Sequence, residues 1–142
     1  MKNQKHKFNT LQKGFSLLEI LVVMVMMATL IGLVANSVGN SQKKGKVQEA
    51  KIRIGKLKIK IEEFNLDLGY YPSNLDALVN DNGDSNWMGE YIKKKDLKDP
   101  WGEEYQYSNP GKNNEDFSIT SFGNDKSSGG TKFDKDINSW DL

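Results

Sequence analysis

Two groups of residues in this 142-residue chain have types and spacings that could do chemistry. The first centres on Glu19, the one charged side chain in the apolar run FSLLEILVVMVMMATLIGLVANSV that begins at Phe15. A carboxylate near the centre of a bilayer costs roughly 2.5 to 3.5 kcal/mol or more, so it needs a cation. The bond between Gly14 and Phe15 lies just upstream, and hydrolysis there would create an α-amino group on Phe15, four positions before Glu19. The same amine on a neighbouring copy could then neutralise Glu19 inside an apolar bundle. The second group lies in FGNDKSSGGTKFDKD, residues 122–136, where Asp125, Ser127, Asp134 and Asp136 surround the pair Gly129-Gly130. Those oxygens could wrap a hard cation of calcium size, which takes about 6 to 8 oxygen ligands. The spacing from Asp125 to Asp136 faintly resembles an EF-hand loop with Gly130 in sixth place, but missing donors, the terminal Asp and the lack of flanking helices argue against that fold. For a generic protein, a solvated turn is the simpler reading of the same residues.

Little else has chemical potential. The sole histidine, His6, precedes the apolar run, and there is no cysteine, so disulfides and thiolate metal sites are excluded. No nucleophile motif or phosphate loop appears, which leaves catalysis without machinery. The formal net charge of +1 is too near balance for nucleic-acid binding through a uniform positive field. Its distribution is uneven. Residues 41–64 hold eight basic side chains against three acids, whereas from Asp67 onward fifteen acids face eight lysines. A basic stem and an acidic head could attract one another between stacked copies; alternatively these are solvated faces, since exposed pairs contribute only about 0 to 1 kcal/mol each.

Three kinds of segment must position these groups. Residues 1–14 form a leader with four lysines and no acid, whose charge favours a cytoplasmic location. Residues 15–38 form a membrane and assembly helix, because the 21 residues from 15 to 35 rise roughly 30 Å as a helix, enough to cross a hydrocarbon core. A secretory signal has a shorter apolar core followed by a small-residue cleavage site; here Gly14 comes first, so cleavage would remove the charge and keep the helix. Residues 39–68 form an amphipathic stem: Val47, Ala50, Ile54, Leu57, Ile61, Phe64 and Leu68 recur at spacings of three and four, and Ile52, Ile59 and Leu66 add a row at spacing seven. This predicts a wide apolar face covering a small sheet, and the pattern is too short for a coiled coil.

Together the two helical segments run for about 50 residues, roughly 75 Å, and the first half has no soluble partner within its own chain. The pattern stops at Gly69, and residues 74–79 predict a short helical turn before a polar loop at 81–85. Segments 89–92, 105–107 and 117–119 then read as two or three short antiparallel strands. The expected class is α+β: a long N-terminal helix packed on a small antiparallel sheet in one head of residues 69–142, with an ion-binding loop at about 122–140. A single head follows from chain length, since one core usually takes about 100 to 150 residues.

Lys13-Gly14-Phe15-Ser16-Leu17-Leu18-Glu19 resembles the class III signal of type IV pilins and pseudopilins, G-F-[TS]-L-x-E. The resemblance implies that prepilin peptidase cuts between Gly14 and Phe15 and methylates the new amine, with Gly14 and Glu19 as recognition positions. The family commonly has a proline where this chain has Asn36, so no proline-set kink is expected, although Gly32 and Gly39 weaken the helix by up to about 1 kcal/mol each.

Tyr71-Pro72, Leu75 to Leu78, Gly89-x-Tyr91-Ile92, Asp99-Pro100-Trp101-Gly102-x-x-Tyr105-x-Tyr107, Phe122-Gly123 and Asp136-Ile137-x-x-Trp140, in that order, are similar to the head of a major pseudopilin of type II secretion. Pilins of adhesion, motility or DNA-uptake fibres, the alternative, usually close their C-terminal loop with two cysteines. The resemblance implies calcium bound by Asp125, Asp136 and the backbone carbonyls of Phe122 and Ser127. The family often has adjacent aspartates before the Ile; Lys135 fills one of those positions here and Asp134 lies one residue earlier, which makes Asp134 an expected further ligand. Calcium would staple a cysteine-free head, with Trp140 packing the tail down. The implied topology is a single pass through the inner membrane with a cytoplasmic leader and periplasmic head. The implied partners are further copies of the chain, minor pseudopilins, prepilin peptidase and an inner-membrane assembly platform, with no nucleic acid. The implied function is a short periplasmic filament that drives folded proteins through an outer-membrane channel.

Overall fold

The computed structural model describes residues 14–142, and these fall into two compact units that meet between Val38 and Gly39. One helix, α1 (Leu17–Leu68), supplies 52 residues to them.

In the first unit every described side chain of residues 17–35 is exposed. The best 18-residue window of α1 has a mean hydropathy of 2.7, long and apolar enough to cross a membrane. A helix is the form such a segment needs, because in hydrocarbon each backbone N–H and C=O must be satisfied within the segment. Thr29 follows the same logic: its hydroxyl donates back to the carbonyls of Val25 (2.9 Å) and Met26 (2.8 Å). The backbone is helical through Asn36, with no break at Gly32 or Gly39.

In the second unit α1 carries the core. Ala50, Ile54, Leu57, Ile61 and Phe64 are each no more than 2% exposed and pack with Leu75, Leu78, Leu97, Tyr105, Phe117, Ile119 and Ile137. Burying a side chain of the Leu, Ile or Phe type contributes about 1.5 to 3 kcal/mol. The expected wide apolar face is corrected here: Ile52, Ile59 and Leu66 are 51%, 60% and 81% exposed. Each sits two residues from a core position, and two residues turn a helix by about 200°, so this row points away from the core. Gly69 closes α1 with φ +82 and donates its N–H to Asn65 O at 2.8 Å, a left-handed helix terminus that glycine adopts without strain.

Beyond α1 a 3-10 turn at Leu75–Leu78 is capped by Asn74, whose side chain accepts from the Ala77 N–H, where a helical turn was expected. Segment 89–92 is not a strand. Tyr91 and Ile92 both donate their N–H groups to Leu78 O, at 2.9 and 3.3 Å, so this stretch is hooked onto the preceding turn instead of entering a ladder. The sheet has three antiparallel strands, β1 (Gln106–Ser108), β2 (Ser118–Ser121) and β3 (Ile137–Asn138), in that spatial order. Tyr107 pairs with Ile119, and Ser121 with Ile137. All four residues of β2 are buried, and two of its polar side chains are hydrogen-bonded: Thr120 Oγ1 donates to Asn138 Oδ1 and Ser121 Oγ to Asp99 Oδ2. β3 was not expected from the sequence, because two residues in a charged segment carry no strand periodicity.

Candidate functional site

The residues expected to be processed lie where α1 begins. Residues 14–16 precede the helix and are exposed, Phe15 at 79%. The Ser16 carbonyl accepts from the N–H groups of Glu19 (3.0 Å) and Ile20 (3.2 Å), which starts the helical ladder. Glu19 stands in the first turn of α1, where the helix dipole favours a negative charge. Its side chain is exposed and enters no ion pair among the described residues. Residues 1–13, with the leader lysines and His6, lie outside the described residues.

The expected ion-binding loop is a tight, hydrogen-bonded structure. Phe122 precedes a 3-10 turn at Gly123–Asp125, which Lys126 ends in the left-handed region. Asp125 Oδ1 accepts from the Ser127 N–H at 3.2 Å, and Ser127 Oγ donates to Asp125 O at 3.2 Å. Asp136 Oδ1 accepts from the Gly129 N–H at 3.0 Å, while Asp136 donates its own N–H to Gly129 O at 3.1 Å. Asp134 Oδ1 accepts from Asn124 Nδ2 at 2.9 Å, bridging the two arms of the loop. Gly130 needs to be glycine: its φ is +76, and a Cβ there would stand 2.1 Å from Asp134 O.

The expected donors Phe122, Asp125, Ser127, Asp134 and Asp136 thus belong to one loop. They do not form a ready-made cluster, since no three acidic or imidazole side chains converge on a point among the described residues. The carboxylates are turned to nearby backbone and amide donors. In donor chemistry they fit a hard cation, because every donor is oxygen and each Asp retains acceptor capacity.

A second organising residue was legible only as part of a motif. Asp99, 4% exposed, accepts through Oδ1 from the N–H groups of Trp101 and Glu103, both at 2.9 Å, and through Oδ2 from Ser121 Oγ at 2.6 Å. Ser121 Oγ in turn accepts from the Gly123 N–H at 3.3 Å, so this buried carboxylate connects the 99–103 turn to the start of the loop. Lys126 makes a second link, pairing with Glu103 at 2.7 Å. Its hydrogen bond and charge hold the Glu103 carboxyl below the usual range, and Glu103 reciprocally raises Lys126. The tail is docked by Ser139 more than by Trp140: Ser139 Oγ accepts from the Ile119 N–H (3.0 Å) and its carbonyl from Lys58 Nζ (3.1 Å), whereas Trp140 is half-buried.

Residues 37–140 match the family described as type II secretion system (T2SS), protein G, and residues 9–35 match the prokaryotic N-terminal methylation motif. The chain belongs to the protein G family of type II secretion, the major pseudopilins. Among its relatives, the type II secretion system core protein G of Xanthomonas campestris is 42% identical over 127 residues, 89% of this chain and 88% of that protein. The Pseudomonas aeruginosa core protein G is 37% identical over 92% of this chain and 96% of its own. The crystal structure of the major pseudopilin from the type 2 secretion system of enterohaemorrhagic Escherichia coli aligns with a TM-score of 0.58 at 30% identity, over 75% of this chain and 96% of that one. The long helix and three-stranded sheet of this pseudopilin are the architecture of that family.

Proposed function

We propose that this pseudopilin is cut between Gly14 and Phe15, methylated on the Phe15 amine, held in the inner membrane by residues 15–38, and polymerised into a short periplasmic filament that moves folded proteins through an outer-membrane channel. The observation that carries this reading is the first half of α1, which leaves every described side chain of residues 17–35 exposed, with Glu19 in its first turn in no ion pair among the described residues. Lipid and neighbouring copies supply what the chain itself lacks: apolar surroundings for the helix, and the Phe15 amine of an adjacent subunit for Glu19. Minor pseudopilins, prepilin peptidase and an inner-membrane assembly platform are the partners this function requires, and the chain acts as a structural subunit. Mass spectrometry of the mature N-terminus tests the reading: N-methylated Phe15 is the expected result, and a chain that retains Met1 in cells with an active peptidase would refute it.

Calcium is the second part of the proposal. Asp125 and Asp136, with the carbonyls of Phe122 and Ser127, would hold it, and Asp134 would join them on releasing Asn124. A bound dication would draw the loop's carboxylates together, neutralise them and cross-link a loop that contains little apolar surface. The support is the all-oxygen donor set and the compact hydrogen-bonded loop. Calcorimetric melting with calcium and then with excess chelator should show a lower midpoint on chelation, and Asp125→Ala should remove the difference. An unchanged midpoint would sink the metal claim.

A further inference from the structure

We propose that the groove between α1 and the 3-10 turn Lys132–Asp134 binds the phosphate headgroup of an anionic phospholipid, in the membrane that the apolar half of α1 enters. This rests on the membrane reading above and adds a ligand to it. The groove is an open depression of about 700 Å³; Val47 and Phe133 give it apolar walls, and the lysines Lys44, Lys51 and Lys132 line it, with no acid in the lining. Among the described residues none of these three lysines is in an ion pair. Three cations around an apolar surface match an amphiphilic anion: a phosphate for the ammonium groups, and glycerol and upper acyl carbons for Val47 and Phe133.

The backbone adds a second observation. Lys132 has φ +57, a left-handed conformation that costs a side-chain-bearing residue and is often retained where function requires it. The turn keeps a lysine on the groove at that cost.

Chain length selects the source of the phosphate. Lys44 follows Val38 by six positions, so this edge of the groove stays within roughly 22 Å of the end of the apolar segment. Lipid headgroups are thereby presented at high local concentration, without a diffusional search. The lysines that follow the membrane segment also run against the usual bias, which places positive charge on the side of the leader. Leaflet phosphates offset that charge. An acidic head of a neighbouring copy is the rival occupant, and protection that needs polymerisation would reveal it.

The test uses the full mature chain in nanodiscs of phosphatidylcholine, with or without phosphatidylglycerol, and follows acetylation of individual lysines by mass spectrometry. Lys44, Lys51 and Lys132 should react about fivefold more slowly with phosphatidylglycerol present, while Lys94 and Lys95 keep their rates. Inorganic phosphate added to phosphatidylcholine nanodiscs should not reproduce the protection. Lys132→Gln should return Lys44 and Lys51 towards their phosphatidylcholine rates. Equal rates in the two lipids would overturn the proposal, as would equal protection by inorganic phosphate. Protection that appears only on polymerisation, whatever the lipid, would assign the groove to a neighbouring copy and also overturn it. A chain that fails to co-elute with either nanodisc overturns the membrane reading and this proposal together; co-elution with equal reactivity overturns this one alone.

Discussion

Residues 17–38 and 39–68 are stretches of one helix, yet every described side chain in residues 17–35 is exposed, while the second stretch buries Ala50, Ile54, Leu57, Ile61 and Phe64. The backbone ladder is local and forms in both; burial is not local and needs a partner. The second stretch finds one within its own chain, in the sheet and the turns around it. The first stretch finds none among the described residues, so its free energy is set by what surrounds it. Stability of the head and competence to assemble are therefore separable properties, and substitutions in the two stretches should fall into different classes.

The sharpest break comes at Glu19. Glu19→Val removes the carboxylate that a neighbouring amine would satisfy, and is expected to abolish incorporation into filaments, measured by cross-linking and pelleting, while the melting midpoint of the head stays where it was. A filament-competent valine variant would contradict intersubunit pairing. Next is Phe64→Ala, which opens a cavity in the core and should cost about 3 to 5 kcal/mol in chemical denaturation. Ile59→Ala, on the same stretch but 60% exposed, should stay within about 0.5 kcal/mol. If the two cost the same, the assigned core face of α1 is wrong.

The smallest effect concerns the link between Glu103 and Lys126. Lys126 holds the Glu103 carboxyl below its ordinary 4.5, so the folded state binds fewer protons than the unfolded one just below that value. The pair's contribution is present above pH 4.5 and is lost as pH falls through the lower folded value. Lys126→Met should flatten this part of the acid limb slightly, with both side chains being solvent-screened. An acid limb that is identical in the variant would show that the link contributes nothing to stability.

Much of this is legible in the sequence, for identifiable physical reasons. The buried row from Ala50 to Phe64 follows directly from spacings of three and four, and a short turn at Leu75–Leu78 falls within the expected 74–79 segment. Misreadings arose where burial depends on direction around a helix or on distant partners. Ile52, Ile59 and Leu66 are as apolar as their neighbours, and only the placement of the sheet shows that their row faces outward. Tyr91 and Ile92 have strand-like composition, but Leu78 O captures both of their N–H groups. Asp99 looked like one member of a motif; its burial and its bonds to Trp101, Glu103 and Ser121 show that it organises the turn beneath the loop.

The sequence by itself determined the N-terminal pattern: a basic segment, Gly14 and Phe15 at the proposed scissile bond, Glu19 in a membrane-length run, and a cysteine-free loop of oxygen donors. These are properties of residue type and linear spacing. Only the tertiary structure decided which apolar row of α1 is core, that β3 completes the sheet, that Asp134 bridges to Asn124, and that Lys44, Lys51 and Lys132 border one groove. Those outcomes depend on contacts between residues that are not neighbours in sequence, where packing and hydrogen-bond competition choose among locally equivalent options.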